Sequence, residues 1–391
     1  MPNSKQFIEE FGSKTFSEHP FCDADALALT EVFYMPLELV VSESFDAEPV
    51  NFSDACNELF DLRGNKHKPL GLMITSTPSK RLMLMAATAR YSELKIVNVH
   101  EVYSSAPAIQ YCAGTFLLPD GTVVVIYRGT DDTIAGWKED LDIYTKKGTP
   151  SYDLALDHLE KVAEKFPGDI IVSGHSKGGN IALKTACECS ESTRKRIKNV
   201  YNFDGPGYSD YSIFYTSAYD EILPGYRHYV PSSSFIGMLM NHDYDYKAVK
   251  SSQLLGPMQH DLGSWQIKNG EIQLVEDVDI LAKITDEWMA AMLKRLGEAG
   301  TAALDTVITA VTEGTGKKTL TEVAKHSYSA VGGAAKAYKN LPSETKEEFK
   351  NDFRGTAKVL LGAIVTVLQD TKLAATAVTD SILRKVASEI L

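Results

Sequence analysis

Apolar positions in the first ninety residues recur at helical spacing. Ala24 to Val41 is apolar with Asp23 available as an N-cap, Ser53 to Leu62 follows, and Ser79 to Tyr91 is rich in Leu, Met and Ala. This part therefore predicts a series of helices. The period then falls to two: Lys95 to Tyr103 alternates, as does Ile109 to Leu118, and Pro119-Asp120-Gly121 is a turn signal ahead of the apolar run Thr122 to Tyr127. That pattern predicts an antiparallel hairpin feeding a buried central strand.

Helical spacing returns where Tyr152, Ala155, Leu156, Leu159, Val162, Ala163 and Phe166 form one stripe, stopped by Pro167-Gly168. Ile170 to Val172 enters as a strand, Ile181, Leu183 and Ala186 continue as a helix, and Asn199 to Phe203 reads as the next strand. Strand and helix in alternation mean right-handed crossovers and a parallel sheet. After about Glu276 the chain reads as Ala-rich amphipathic helices, broken at Gly314-Thr315-Gly316 and at Leu341-Pro342. The expected organisation is an N-terminal helical part over 1–94, an α/β core over 95–275, and a C-terminal helical region over 276–391 that covers the site, with a separate partner-binding bundle as the alternative. The amphipathic stretch Phe353 to Leu391 reads as helix packed on its neighbours, with a membrane-surface helix as the alternative.

Composition narrows the partners. Hydrophobic residues make up 44% and charged residues 24% of the 391, which is ordinary for a folded globular chain. A net charge of -12 offers no basic footprint for nucleic acid. The longest apolar run, Val359 to Leu368, is too short to span a bilayer, and the start of the chain has no apolar core of a secretory signal. Five scattered cysteines fit a reduced, cytoplasmic protein. Cys187 and Cys189 would point to different faces of a helix, so no metal site is expected there. The stretch Gly314 to Thr319 hints at a phosphate loop, but Val311 and Lys318 stand where Gly and Ser/Thr are required. No cofactor is expected, and the sequence does not fix an oligomeric state.

The chemistry concentrates in Gly174-His175-Ser176-Lys177-Gly178-Gly179, a sharp bend between the strand at Ile170 and the following helix. A bare G-x-S-x-G is weak, but strand before and helix after are the context of a nucleophile elbow. A serine needs a base to take its proton. Downstream stand His228, His242, His260 and His326. His260, on a loop between Gly256-Pro257 and the strand-like Trp265 to Ile267, is preferred, with His242 as the fallback. His175 points away from its neighbour at the corner and reads as a packing or hydrogen-bonding residue beneath the elbow. Asp204, at the end of the strand after the elbow helix, is the preferred acid, with a turn cap as its other reading; Asp243 and Asp245 are rivals. The oxyanion of an acyl transfer needs donors: the backbone N–H of Lys177 supplies one, and the loop Arg128-Gly129-Thr130 is placed for the other. Phe235 to Met240 reads equally as acyl pocket or core.

Tyr127-Arg128-Gly129-Thr130, then Trp137 and Asp140, then the Gly174 to Gly179 motif, resemble the class 3 lipase group of α/β-hydrolases, and the Gly-His-Ser-Lys-Gly-Gly-Asn form with Gln259-His260-Asp261 is similar to a bacterial branch of it. The resemblance covers roughly residues 95–270. It implies an α/β-hydrolase fold, with Thr130 in the oxyanion hole and Asp140 holding its hydroxyl. Two features depart from the group. Lys177 stands where a hydrophobic residue is usual, and Val230 to Ile236 lacks the usual Asp. The segment between Thr130 and Asp140 is short and polar, unlike a lipase lid. The expected activity is serine-dependent cleavage of carboxylic esters of lipids or small alcohols. An acyltransferase or thioesterase with the same residues, and an interaction protein with a silent site, are the alternatives.

Overall fold

The structure, a computed structural model, describes residues 1–279 and 319 apart from 65–66, 68–69, 71–73, 146–147, 235, 243–244 and 254–255. The expected C-terminal helices and their covering role, His326, Asp243, Phe235 and the decoy phosphate loop (Thr319 aside) lie outside the described residues.

Eight strands form one sheet: β1 (Val50–Asn51), β2 (Lys95–Ser105), β3 (Ala108–Leu117), β4 (Val123–Tyr127), β5 (Ile170–His175), β6 (Ile197–Phe203), β7 (Tyr226–Pro231) and β8 (Lys247–Val249). Their spatial order is their chain order. The pairs from β1 to β4 are antiparallel, and those from β4 to β8 are parallel. The β3–β4 connection is the predicted turn, where Gly121 N–H donates to Leu118 C=O at 3.0 Å.

Right-handed crossovers that always step to the next strand deliver their helices to one face. The other face then needs its own cover, and the N-terminal helices provide it. These are α1 (Ser4–Phe11), α2 (Asp23–Val32), α3 (Phe52–Arg63), α4 (Thr77–Ala86) and the short α5 (Ala89–Ser92); α6 (Ile134–Thr145), α7 (Pro150–Lys165) and α8 (Lys177–Glu188) belong to the crossover part. One core joins Phe7, Leu27, Leu29 and Leu82 to Val124, Ile126, Ile171 and Phe203. The second joins Val123, Val125, Tyr127 and Val172 to Leu159 of α7 and Ile181 of α8. β4 is buried at all five residues, which is why it reads as a continuous apolar run. Ser173 faces the N-terminal layer, and its hydroxyl meets that of Thr30 at 2.7 Å.

Three expected boundaries move. The helix expected over 24–41 ends at Val32, before Met35-Pro36, and only a 3₁₀ turn, Leu37–Leu39, follows. Asp23 is not its N-cap; Cys22 occupies that position, with its N–H donating to Asp25 Oδ2 at 3.0 Å. Asp23 instead accepts from the hydroxyls of Tyr201, at 2.7 Å, and Tyr229. The helix expected over 79–91 is split into α4 and α5. The Trp265 to Ile267 strand is reduced to Ile267–Lys268, paired with Glu271–Ile272 around the Asn269-Gly270 turn, with a 3₁₀ turn, Leu262–Ser264, ahead of it. Among the described residues no helix is long and apolar enough to cross a membrane.

Candidate active site

The C-terminal ends of β4, β5 and β6 meet at one edge of the parallel half-sheet, where loops of α/β sheets carry ligand sites. β5 ends at His175, and α8 starts at Lys177. Ser176 alone makes the corner, with φ 58° and ψ -129°, a conformation that a non-glycine residue holds only under constraint. The constraint is visible on both sides. A Cβ on Gly178 would lie 2.1 Å from Tyr127 C=O, and one on Gly174 would lie 2.0 Å from Gly178 C=O. No side chain fits at either place, so the strand, corner and helix close tightly around the serine. Ser176 keeps part of its surface open while Gly174, His175 and Lys177 on either side are buried.

His260 Nδ1 lies 2.7 Å from Asp204 Oδ2, across a separation of 56 residues. Asp204 is fully buried and stands at φ 52° just beyond β6. Its other oxygen accepts from Ser234 Oγ at 2.5 Å and from Gly237 N–H at 3.0 Å. With Nδ1–H donating to Asp204, the free nitrogen of His260 is Nε2, an acceptor. Asp204 also sits beside the elbow, since Ser176 N–H donates to Phe203 C=O at 3.0 Å.

The loop that carries His260 is pinned at three points. Trp265 Nε1–H donates to Gln259 C=O at 2.8 Å, and the Gln259 amide oxygen accepts from Ser233 N–H at 3.0 Å. His175 Nε2 is 2.8 Å from His260 C=O. A carbonyl only accepts, so Nε2 of His175 carries the proton, and Nδ1 accepts from Tyr34 OH at 2.7 Å. Burial, with His260 adjacent, holds the His175 imidazole well below its ordinary range, so it stays neutral. Beneath the elbow, His175 thus holds the backbone of His260.

Thr130 follows β4, and its hydroxyl lies 2.8 Å and 2.7 Å from the two carboxylate oxygens of Asp140 on α6. Desolvation pushes the Asp140 carboxyl up to about 6, even with Lys177 and the Thr130 hydroxyl acting in the opposite direction. Lys177 is the first residue of α8, where a backbone N–H has no acceptor within its own helix. Its side chain turns inward and is buried, with Nζ 2.6 Å from Glu139 Oε2 and 2.5 Å from Gln110 C=O.

The remaining candidates lie elsewhere. His242 is buried edge-on to His228 and Tyr246. Met238 and Leu239 are buried, and through Gly237 N–H the 236–240 stretch holds the Asp204 carboxylate. Among the described residues one trio, Glu38, Glu101 and Cys112, comes within metal-ligand reach. Arg128 already occupies it, 2.8 Å from Glu38 and 2.9 Å from Glu101. The Cys189 thiol donates to Ala186 C=O at 3.2 Å. Tyr34, Ser234, Gly237, Gln110 and Glu139 are missed by sequence reasoning. Only Glu139 had a signal there, because a lysine on the inward side of an elbow helix requires a buried acid.

Comparison with known proteins adds a family. A family model described as Mbeg1-like matches residues 85–306. No curated protein matches at a significant level. Among solved structures, the native Rhizomucor miehei lipase propeptide complex is similar at 15% identity, with a TM-score of 0.30, covering 63% of this chain and 82% of that one. A TM-score of that size is too low for the likeness to bear on fold or function.

Proposed function

This chain belongs to the Mbeg1-like family, a lipase-like family, and from that premise we propose that it is a serine hydrolase of carboxylic esters. Ser176 is the nucleophile, His260 the base and then the acid, and Asp204 the group that orients the imidazole. The observation that carries the reading is the 2.7 Å contact between His260 Nδ1 and Asp204, formed beside a serine at φ 58°. A turn cap needs no histidine, and a packing histidine needs no buried carboxylate.

The chemistry follows from these positions. Ser176 Oγ attacks the acyl carbonyl as its proton passes to His260 Nε2, and Asp204 stabilises the imidazolium that forms. The carbonyl oxygen becomes an oxyanion and accepts from backbone N–H groups at Lys177 and Thr130. The Thr130 hydroxyl is turned to Asp140, so its amide is the donor that remains. His260 returns the proton to the departing alcohol. Water then adds to the acyl-enzyme with His260 as base, releasing the acid and restoring Ser176. These steps need no cofactor or metal. The substrate class is an acyl ester of a lipid or a small alcohol. The unpaired cysteines fit a reducing compartment, and we place the protein in the cytoplasm.

A fluorophosphonate probe tests this without knowledge of the substrate, because it reports an activated serine. The expected result is one covalent label at Ser176 in the intact protein and none in Ser176→Ala, which also loses turnover of short p-nitrophenyl esters. An unlabelled wild-type protein, or a Ser176→Ala variant that hydrolyses at the parental rate, overturns the reading.

A further inference from the structure

Lys177 is a charged residue placed where burial is nearly complete: its side chain is 1% exposed, and that of Glu139 is 0% exposed. An ion pair taken out of water is seldom a net gain in stability, so the connections of this one matter. Lys177 Nζ reaches Glu139 Oε2 at 2.6 Å, Gln110 C=O at 2.5 Å and the Gln110 amide oxygen at 3.0 Å. Gln110 N–H donates to the same Glu139 oxygen at 2.9 Å. Glu139 Oε1 accepts from the hydroxyls of Thr149 and Ser151. Burial alone would raise the Glu139 carboxyl, but Lys177 and these hydroxyls hold it below its ordinary value, so Glu139 stays ionised.

Both ends of this network reach neighbours of Thr130. Gln110 Oε1, which Lys177 holds, also accepts from Asp131 N–H at 3.3 Å, one residue after Thr130. Glu139 directly precedes Asp140, whose carboxylate takes the Thr130 hydroxyl. We propose that the Lys177 side chain is a positioning residue for the oxyanion hole, clamping the Thr130 loop and α6 to the start of the elbow helix. Lys177 then serves the same oxyanion twice. Its backbone N–H is one donor, and its ammonium fixes the loop that carries the other. A hydrophobic residue at this position could fill the space, but it could not hold the Gln110 amide oxygen that Asp131 N–H shares.

The inference rests on the hydrolase reading, and the two fail differently. Lys177→Met leaves the Glu139 charge buried and alone, so the deciding variant is Lys177→Met/Glu139→Gln, in which the amide still accepts from Thr149 and Ser151. Gln110→Met, which keeps the Lys177–Glu139 ion pair and removes the amide oxygen that joins Lys177 to Asp131 N–H, is the companion. Two quantities are read on each: the second-order rate of Ser176 labelling by a fluorophosphonate, and kcat and KM on a short p-nitrophenyl ester. A displaced rather than deleted oxyanion donor lowers kcat and the labelling rate about 10- to 100-fold in the double variant, with KM changed less than about twofold. A loss of several-fold in the same direction is expected for Gln110→Met. Either variant melting cooperatively with parental kcat and labelling rate overturns the clamp while leaving the hydrolase in place. Should the double variant not fold, Gln110→Met decides alone. A wild-type protein that takes no label at Ser176 overturns both.

Discussion

Asp204 shows what a residue's type and position leave open. The sequence offers Asp204, Asp243 and Asp245 after the elbow, and ranks Asp204 first only by its place at a strand end, which a turn cap would equally take. Asp204 is distinguished by partners from far along the chain: the Ser234 hydroxyl and the Gly237 amide on one oxygen, His260 on the other. Those groups come from connections beyond β7 and β8, so no spacing announces them. Ser176 was legible because strand, glycine and helix stand next to it in the sequence, and His260 because few histidines follow. Asp204→Asn keeps the shape and presents the wrong hydrogen-bonding group to Nδ1, favouring the wrong imidazole tautomer. By analogy with other serine triads, kcat is expected to fall by about 10²- to 10⁴-fold. Asp245→Asn is expected to stay within about twofold of the parent, the usual outcome for a residue outside the reacting set. Steady-state kinetics on the two purified variants check this, and the reverse pattern moves the acid to the later loop.

At the scale of elements, period was the dependable signal and ends were not. The 2-residue period of β2 and β3, the apolar run of β4 and the stripe of α7 all became the elements expected of them, because burial writes itself into the pattern: the outer half of β2 alternates in exposure, whereas β4 is buried at every residue. Ends moved where tertiary contacts took the capping group: Asp23 turns to Tyr201 and Tyr229, and Asp25 caps the helix from within. The elbow is the element whose geometry has least freedom. An alanine at Gly178 would put its Cβ 2.1 Å from Tyr127 C=O, a backbone atom in β4, whereas one at Gly148 meets nothing nearer than 3.8 Å, on a Tyr152 ring. The β4 carbonyl cannot retreat without breaking the centre of the sheet. Gly178→Ala is therefore expected to lose about 1–3 kcal/mol or more of stability through overpacking, together with most esterase activity as α8 shifts off Ser176. Gly148→Ala should stay within about 0.5 kcal/mol. Denaturant melts with activity assays compare the pair, and a Gly178→Ala protein as stable and active as Gly148→Ala would mean that the elbow is not packed this tightly.

For the molecule as a whole, two cores on opposite faces of one sheet make the N-terminal helices structural partners of the edge that carries Ser176. Glu31 on α2 marks a cost of that arrangement. It is 2% exposed, and neither carboxylate oxygen has a hydrogen-bond partner. The nearest cation, Arg81, stays 3.8 Å away and spends its Nε on Ser4 Oγ at 2.8 Å and another nitrogen on Asn3 Oδ1 at 3.3 Å. Burial pushes the Glu31 carboxyl up to about 7 against an ordinary value of 4.5, with Arg81 and the Ser4 hydroxyl opposing and Asp261 reinforcing the shift. The folded state therefore binds this proton more tightly than the unfolded chain does. Its contribution to stability is full below about pH 4.5 and is lost as pH rises through about 7, a change of about 3 kcal/mol. Buried neutral imidazoles act at the acid side: His158 and His228 are both pushed down to about 3 by burial, and their effect is lost as pH falls. Comparing Glu31→Gln with the parent cancels the histidines, because both proteins carry them. The amide cannot ionise, so the Tm difference should be near zero or negative at pH 5. It should grow in favour of Glu31→Gln by several degrees at pH 8, about 2–4 °C per kcal/mol for a folded unit of this size. Thermal melts of the two proteins across that range decide it, and a difference that stays flat with pH would mean that Glu31 is ionised, or reached by water, throughout.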